Sequence, residues 1–439
     1  MLFPQVLKFG GAALRDGAAV RRACDLIASA KRPAVVVSAH QGVTALLERA
    51  ARDAAQGRLE TDAIRVRHRG LLSQLELDAE LLDRHFAELF GVLGEVRMRG
   101  RLEADELDFV LSFGERMSAR IVAATLRLRG IDAAPLDAFD VGLLSDSSHG
   151  RAKPLPGIGE ALRRSLGEVH GVPVVTGFLA RDAEGRLTTL GPNGSDLSAA
   201  LVAEAVGALE LIFYKRVPGI MTADPARVPG ARVLDRIGFA EAAELAEHGA
   251  EVLHAGSIEP AAKAGLRVRV VDVDHPDRPG TLLTADVDTT NIAPCALAVA
   301  EPLHGLCVAL PTHAGRADAL ARAFDLLREQ DVQTRVASAV GAALHVYAAE
   351  RDALERVAQR LGDVATLETP CSAITAVSRG GATTGAHMLA ALTAEGIRPR
   401  HEWVAERSLS QTVLVDAEES ARALRALHAA LFEDREYAR

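Results

Sequence analysis

The residues best placed to do chemistry stand near the amino end, where Leu7-Lys8-Phe9-Gly10-Gly11 closes a short apolar run. Val6, Leu7 and Phe9 read as a buried strand, and Arg15 to Ala30 as the helix that follows it. Two glycines at that junction let backbone N–H groups approach anionic oxygens, because no Cβ intervenes. The lysine carries extra weight in a chain that prefers arginine: lysine occurs only at Lys8, Lys31, Lys153, Lys215 and Lys263. A compact ammonium suits a site needing a mobile point charge, whereas a guanidinium offers a planar fork. The same five residues also fit a Gly-Gly turn with a solvated lysine, so the segment does not decide by itself.

Three further segments have comparable chemistry. Val35 to Thr44 is an apolar strand running into a small, polar, glycine-bearing loop, the place where open α/β sheets bind ligands. Ser112-Phe113-Gly114-Glu115-Arg116-Met117-Ser118 puts a carboxylate just after a glycine and reads as a helix start, where an acid is also favoured simply by the helix dipole. Leu190 to Ala199 is a second glycine loop, Gly191-Pro192-Asn193-Gly194-Ser195-Asp196, leading into a helix over Leu197 to Val206. A phosphate or carboxylate fits at such a helix N-terminus.

The elements that must position these residues follow from patterning. A chain of 439 residues is too long for one ordinary core and fits about two to four domains. Up to about residue 285, apolar strands alternate with amphipathic helices, the signature of a parallel sheet covered on both faces. The expected strands are Gln5 to Phe9, Ala34 to Ser38, Asp132 to Leu136, Val172 to Gly177, Glu210 to Tyr214 and Arg267 to Val273. Leu46 to Arg101 reads as a helical excursion without a strand, projecting from the sheet as a subunit contact. After about Asn291 the pattern becomes strand, helix, strand (Leu306 to Leu310, Gly315 to Gln330, Ala342 to Ala348). It then repeats with Ala373 to Ser378, Gly385 to Glu395 and Gln411 to Asp416, closed by a helix over Glu419 to Phe432.

Composition narrows the function. Hydrophobic residues at 49% with 25% charged residues are those of a globular protein. A net charge of −9 with only 4% aromatics argues against a nucleic-acid partner. No apolar run reaches the roughly eighteen residues of a membrane span, and the N-terminus lacks a signal-peptide pattern, so a cytoplasmic location without membrane association is expected. Cys24, Cys295, Cys307 and Cys371 lack metal-ligand or redox spacing in the sequence and read as buried thiols.

The chain resembles the aspartokinases, the ACT-domain branch of the amino-acid kinase family, from about residue 5 to residue 435. The resemblance rests on an ordered series: Lys8-Phe9-Gly10-Gly11, Ser38-Ala39 to Thr44, Gly114-Glu115, Gly177-Phe178, Gly191 to Asp196 and Val217 to Pro225. Glu241 to Leu245, Gly249 to His254 and Gly280-Thr281 continue it. It implies an α/β fold with a mainly parallel, amino-acid-kinase-type sheet sandwiched by helices, followed by two small α+β, ACT-like modules of βαβ type. The implied domains are a catalytic one over 1–285 and modules over 295–368 and 369–439, the second free to interleave with the first. The implied activity moves the γ-phosphate of ATP, with Mg2+, to the side-chain carboxylate of L-aspartate, the first step of lysine, threonine and methionine synthesis. Implied partners are an amino-acid or carboxylate substrate, an amino-acid effector, and a second copy in a homodimer formed through the ACT modules.

Carried over position by position, Lys8 neutralises charge on the transferred phosphoryl group, and Asp196 organises the active-site lysines and metal. Thr44, Glu115 and Ser195 correspond to substrate-side contacts, Glu115 receiving the amino group. Gly10, Gly11, Gly191 and Gly194 correspond to the phosphate-cradling glycines, and Lys215, Arg216, Met221 and Asp224 to the nucleotide side. No direct protein ligand to the metal is implied. Gly315 and Ser338 fall in the stretches that touch an effector in ACT pairs, although Ala337 to Ala343 lacks the acid often found there.

The departures define the alternatives. Ala12-Ala13 stands where the family usually has Thr-Ser, and Pro192-Asn193 where it has Arg-Gly. Proline supplies neither charge nor an N–H to a substrate carboxylate. Arg216, Ala226 and Glu251 likewise depart from the nucleotide-side pattern. Lys215 and Arg216 either compensate beside the nucleotide or lie exposed, paired with Glu251 or Asp224. Three functions follow: an aspartokinase, a kinase of another amino-acid or carboxylate acceptor, or a non-catalytic paralogue that binds an amino acid.

Overall fold

A computed structural model describes residues 3–250, 252–253, 255–287, 293–403 and 408–433. The chain divides into two compact units: 1–220 with 235–239 and 252–287, and 288–439 with 221–234 and 240–251.

The first unit is built on ten strands, β1 (Gln5–Phe9), β2 (Pro33–Val37), β3 (Ala133–Leu136), β4 (Val172–Thr176), β5 (Leu179–Arg181), β6 (Leu187–Thr189), β7 (Glu210–Lys215), β8 (Arg236–Gly238), β9 (Arg267–Asp272) and β10 (Thr281–Thr284). Eight of them form one sheet in the order β3-β4-β2-β1-β7-β9-β10-β8, while β5 and β6 make a separate hairpin. Every pairing in the large sheet is parallel except β9 with β10. All six expected strands are present. Strand β1 lies between β2 and β7, so the chain departs in both directions from it, and the carboxyl end of β1 is the crevice such sheets offer to ligands.

Burial on both faces explains the strand sequences. Pro33–Val37 is buried throughout, and in β1 only Gln5 is partly open. The helix Gly17–Ser29 starts where Asp16 accepts the Ala19 N–H at 2.8 Å. The stretch expected to project is helical, as expected, and packs against neighbouring helices. Helices Val43–Ala55, Asp62–Leu75 and Asp83–Arg99 place Leu47, Leu71, Leu89 and Leu93 in the same core as Leu7 and Phe9. Their apolar stripes pack on one another and on the helices Gly17–Ser29 and Ala104–Leu128, the second of which lies against β2, β3 and β4.

In the second unit six strands form one antiparallel sheet: β11 (Pro294–Ala309), β12 (Val336–Val340), β13 (Ala343–Ala348), β14 (Ala365–Ser378), β15 (His401–Trp403) and β16 (Ser410–Asp416), in the order β12-β13-β11-β14-β16-β15. Helices Arg316–Glu329 and Arg351–Leu361 cover Leu306, Val308 and Val346. Helices Ala382–Ala394 and Ser420–His428 cover Ile374 and Val413, with Ala223 and Val228 joining that core. The two repeats thus share a sheet, and the division drawn between residues 368 and 369 falls inside β14.

Candidate active site

The site assembles at the carboxyl end of β1. Lys8 is on this central strand, and Lys215 ends the neighbouring β7, which pairs Lys8 with Phe213. The helix Gly194–Val206 carries Asp196 in its first turn. Lys8 Nζ stands 2.6 Å from Asp196 Oδ1, and Lys215 Nζ donates to Oδ2 at 2.9 Å. Lys8 is 5% and Asp196 2% exposed. Burial alone would raise the Asp196 carboxyl, yet the two ammonium groups hold it below the ordinary range. Burial also lowers Lys215, with Lys8 adding to the effect and Asp196 opposing it. Two cations face one anion in a largely dry pocket, and the excess positive charge favours an anionic ligand.

Glycine makes this geometry attainable at two points. A Cβ on Gly11 would lie 2.7 Å from the Ala39 carbonyl oxygen, and one on Gly114 2.7 Å from the Ala39 Cβ. Both residues therefore admit the loop after β2 to the site. Gly10 has extended backbone, and a Cβ there would lie 3.4 Å from Lys8 Nζ. In the second loop Gly191 has φ +74° and Asn193 φ +59°. Gly194 sits under Leu190 and Phe178, and Ser195 is buried against Gly177.

Glu115 lies in the interior of the long helix Ala104–Leu128, not at a helix start. The helix begins earlier, at a reciprocal cap between Glu103 and Glu106, and Gly114 serves the close approach of Ala39 rather than a helix end. Glu115 Oε1 accepts the Ala39 N–H at 2.9 Å, whereas its buried Oε2 has no hydrogen-bond partner among the described residues. Burial pushes the carboxyl up to about 7, against the Ala39 N–H and the nearby Lys8 charge.

The other expected site residues take no part in the Lys8–Asp196–Lys215 contacts. Thr44 is exposed in the first turn of the helix Val43–Ala55. Arg216 Nε lies 3.0 Å from Asp274 Oδ2, and Arg15 and Arg22 meet the other oxygen of the same carboxylate. Glu251, offered as a partner for Lys215 and Arg216, lies outside the described residues. Met221 and Asp224 belong to the second unit, where Asp224 Oδ1 accepts the Ala226 N–H at 2.9 Å. Gly315 caps the helix Arg316–Glu329, and Ser338 on β12 lines a cavity of about 470 Å³.

Asp108 was not legible from sequence. Buried in the helix that carries Glu115, it accepts from Thr189 N–H and Oγ1, from the Gly150 N–H and from His149 Nδ1. It thereby fastens residues 149–150 to the strand that feeds the second glycine loop. A Cβ on Gly191 would lie 3.4 Å from the Arg151 Cα, which puts an arginine beside that loop. The only sequence signal was a helical acid two turns before Glu115.

The sequence model of the amino acid kinase family matches residues 4–272, the span containing the whole arrangement. The chain belongs to the amino acid kinase family. Within this family its likeness is to aspartokinases. It is 36% identical to the lysine-sensitive aspartokinase 3 of Escherichia coli over 63% of this chain and 63% of that protein. It is 30% identical to the chloroplastic aspartokinase 2 of Arabidopsis thaliana over 75% of this chain and 63% of that one. The chain thus spans just under two thirds of the length of these relatives. Its fold matches that of E. coli aspartokinase III in complex with aspartate and ADP with a TM-score of 0.83, at 26% identity, over 98% of this chain and 99% of the other. None of the described helices is long and apolar enough to cross a membrane.

Proposed function

We propose that this family member is an aspartokinase-type phosphotransferase that moves the γ-phosphoryl group of ATP, as its magnesium complex, to the side-chain carboxylate of L-aspartate. The observation that carries the reading is the Lys8–Asp196–Lys215 cluster, a buried double cation held by one carboxylate at the carboxyl end of the central strand. ATP would supply the γ-phosphoryl group, with ADP as the leaving group. Lys8 and Lys215 hold positive charge toward the phosphates, and Asp196 keeps both ammonium groups in place. Phosphoryl transfer needs little else from a protein than positioning and charge. Both Asp196 oxygens are engaged by lysines, so magnesium fits on phosphate oxygens rather than on this carboxylate.

Glu115 gives the acceptor its identity as an amino acid. Its partnerless buried oxygen suits an ammonium group, and the contact would draw the carboxyl into its ionised form. Glycines 10, 11, 191 and 194 line the phosphate side, with Thr44 and Ser195 on the acceptor side. An amino-acid effector in the cavity beside Ser338, and a homodimer through the ACT-like module in the cytoplasm, complete the proposal.

A second acceptor class is favoured by one observation. Pro192 is exposed at the tip of the second glycine loop and offers no cation, leaving Arg151 as the arginine beside it. Hydroxylamine trapping of the acyl phosphate with ATP and a panel of amino acids separates the readings. Hydroxamate from aspartate supports the first, hydroxamate only from another acid supports the second, and none with any acid rejects both.

A further inference from the structure

The face of the second sheet turned away from its helices carries a group of metal-ligating side chains that the phosphotransferase reading does not use. Leu306, Val308, Leu344 and Val346 point into the helix-covered core, so the alternate positions Gly305, Cys307, His345 and Tyr347 take the opposite face. The register sets Cys307 across from His345, and Gly305 across from both Tyr347 and Glu368. Gly305 is what lets them meet. A Cβ there would lie 2.6 Å from Glu368 Oε2 and 2.8 Å from Tyr347 Cε1.

In the space so opened, a sulfur of Cys307, a ring nitrogen of His345 and a carboxylate oxygen of Glu368 all lie within 4.8 Å of one another. His345 Nδ1 is 3.0 Å from Glu368 Oε1, and the Tyr347 hydroxyl donates to Oε2 at 2.7 Å. A second imidazole stands beside them. His401 belongs to edge strand β15, four strands from β13 in the sheet order, yet its ring centroid lies 4.5 Å from that of His345. The group is half-buried, and His345 and His401 both line the cavity of about 470 Å³.

We propose that Cys307, His345 and Glu368, completed by His401, form a binding site for a zinc-type transition-metal ion. A thiolate with imidazoles and one carboxylate suits zinc, while magnesium and calcium prefer all-oxygen shells. Ligand atoms around a tetrahedral zinc ion sit roughly 3.3–3.7 Å apart, given bond lengths of about 2.0–2.3 Å. The closest pair here is already near that separation, and side-chain rotation brings in the sulfur. The Tyr347 hydroxyl holds the outer oxygen of Glu368 and orients the inner one, as outer-shell hydrogen bonds do in metal sites. Ion binding would tie β11, β13, β14 and β15 together. It rests on donor geometry alone and does not depend on which acceptor the first unit uses.

The test uses the full chain, stripped of metal and titrated with Co2+ alone, then with Zn2+. The expected result is one Co2+ per chain with intense visible bands of tetrahedral coordination and a near-ultraviolet thiolate-to-cobalt band, both erased by Zn2+. Cys307→Ser should abolish the thiolate band while Cys371→Ser keeps it. His345→Ala and Glu368→Gln should each weaken binding by more than the loss of the outer-shell hydroxyl in Tyr347→Phe, itself about 10- to 100-fold, and circular dichroism should show the variants folded. Zn2+ should also shield Cys307 from alkylation. A pale octahedral spectrum, an unchanged spectrum in Cys307→Ser, or no saturable uptake would each overturn the proposal.

Discussion

Lys8 Nζ lies 2.6 Å from Asp196 Oδ1, joining the central strand of the first sheet to the opening turn of the helix after the second glycine loop. Lys215 occupies the other oxygen, so neither ammonium group has the carboxylate to itself. The pocket has one positive charge more than it neutralises, and an arriving phosphate would complete it. Lys8→Ala is therefore expected to reduce turnover by at least about 100-fold, the usual loss on removing one transition-state charge contact, with unchanged circular dichroism. Lys8→Arg should not rescue it, because a planar fork does not fit where a compact ammonium contacts Asp196. Wild-type turnover in Lys8→Ala would remove this residue from the reaction.

Replacing the shared anion tests the same cluster through stability. Asp196→Asn leaves two buried ammonium groups facing a neutral amide, and stranding a buried charge costs about 3–5 kcal/mol. Adding Lys8→Met removes one of the stranded charges, so the double variant should be more stable than Asp196→Asn alone. Urea midpoints of the wild type, both single variants and the double variant measure the coupling. Additive losses would mean the three groups do not act as a unit.

Much of this site was legible in the sequence because its parts sit at strand ends. The strand containing Lys8 and the loop ending in Asp196 carry local signals, an apolar run before glycines and a glycine loop before a helix. Lys215 was found as a candidate, and the resemblance had Asp196 organising the active-site lysines. Patterning alone left Lys215 equally free to lie exposed, since its contact with Asp196 arises only when β7 aligns beside β1. Asp108 was invisible for the same reason: its four donors come from residues 41 to 81 positions away. Glu115 was recognised yet set at a helix start, because glycine marks helix ends more often than it marks close packing in mid-helix. In the second unit, Arg351–Leu361 was missed although amphipathic, and the repeats left open, without deciding, the interleaving that the single sheet displays.

Two buried histidines predict acid sensitivity in the first unit. His40 Nδ1 contacts the Leu14 carbonyl at 2.7 Å and His68 Nδ1 the Ile64 carbonyl at 2.8 Å, so each ring carries its proton on Nδ1. Both Nε2 atoms are buried without a partner among the described residues. Burial pushes His40 down to about 3, with His68 adding to it, and His68 down to about 4. Since both lie below the unfolded value of 6.5, the stability they preserve is complete above pH 6.5 and lost as pH falls towards these values. By pH ~4.5 the loss should reach about 2–3 kcal/mol per ring. His68→Leu should flatten the fall in urea midpoint between pH 6.5 and 4.5 relative to wild type. Parallel pH profiles would show that the rings do not titrate on unfolding.

Glu115 has the opposite sign and ties stability to function. Its folded value of about 7 exceeds the unfolded 4.5, so its favourable contribution is complete below pH 4.5 and lost as pH rises to about 7. The loss amounts to about 3 kcal/mol. Glu115→Gln should therefore remove a falling limb from the stability profile over that window, whatever the constant cost of the amide. Catalysis should run the other way, because only the carboxylate can receive an ammonium group. For the wild type, kcat/KM for the amino-acid acceptor should drop about tenfold per pH unit below pH ~7, with little change in KM for ATP. Glu115→Gln should raise the acceptor KM by at least about tenfold and abolish that limb. A variant that keeps the wild-type acceptor KM and pH profile would show that the unpaired oxygen does not bind substrate.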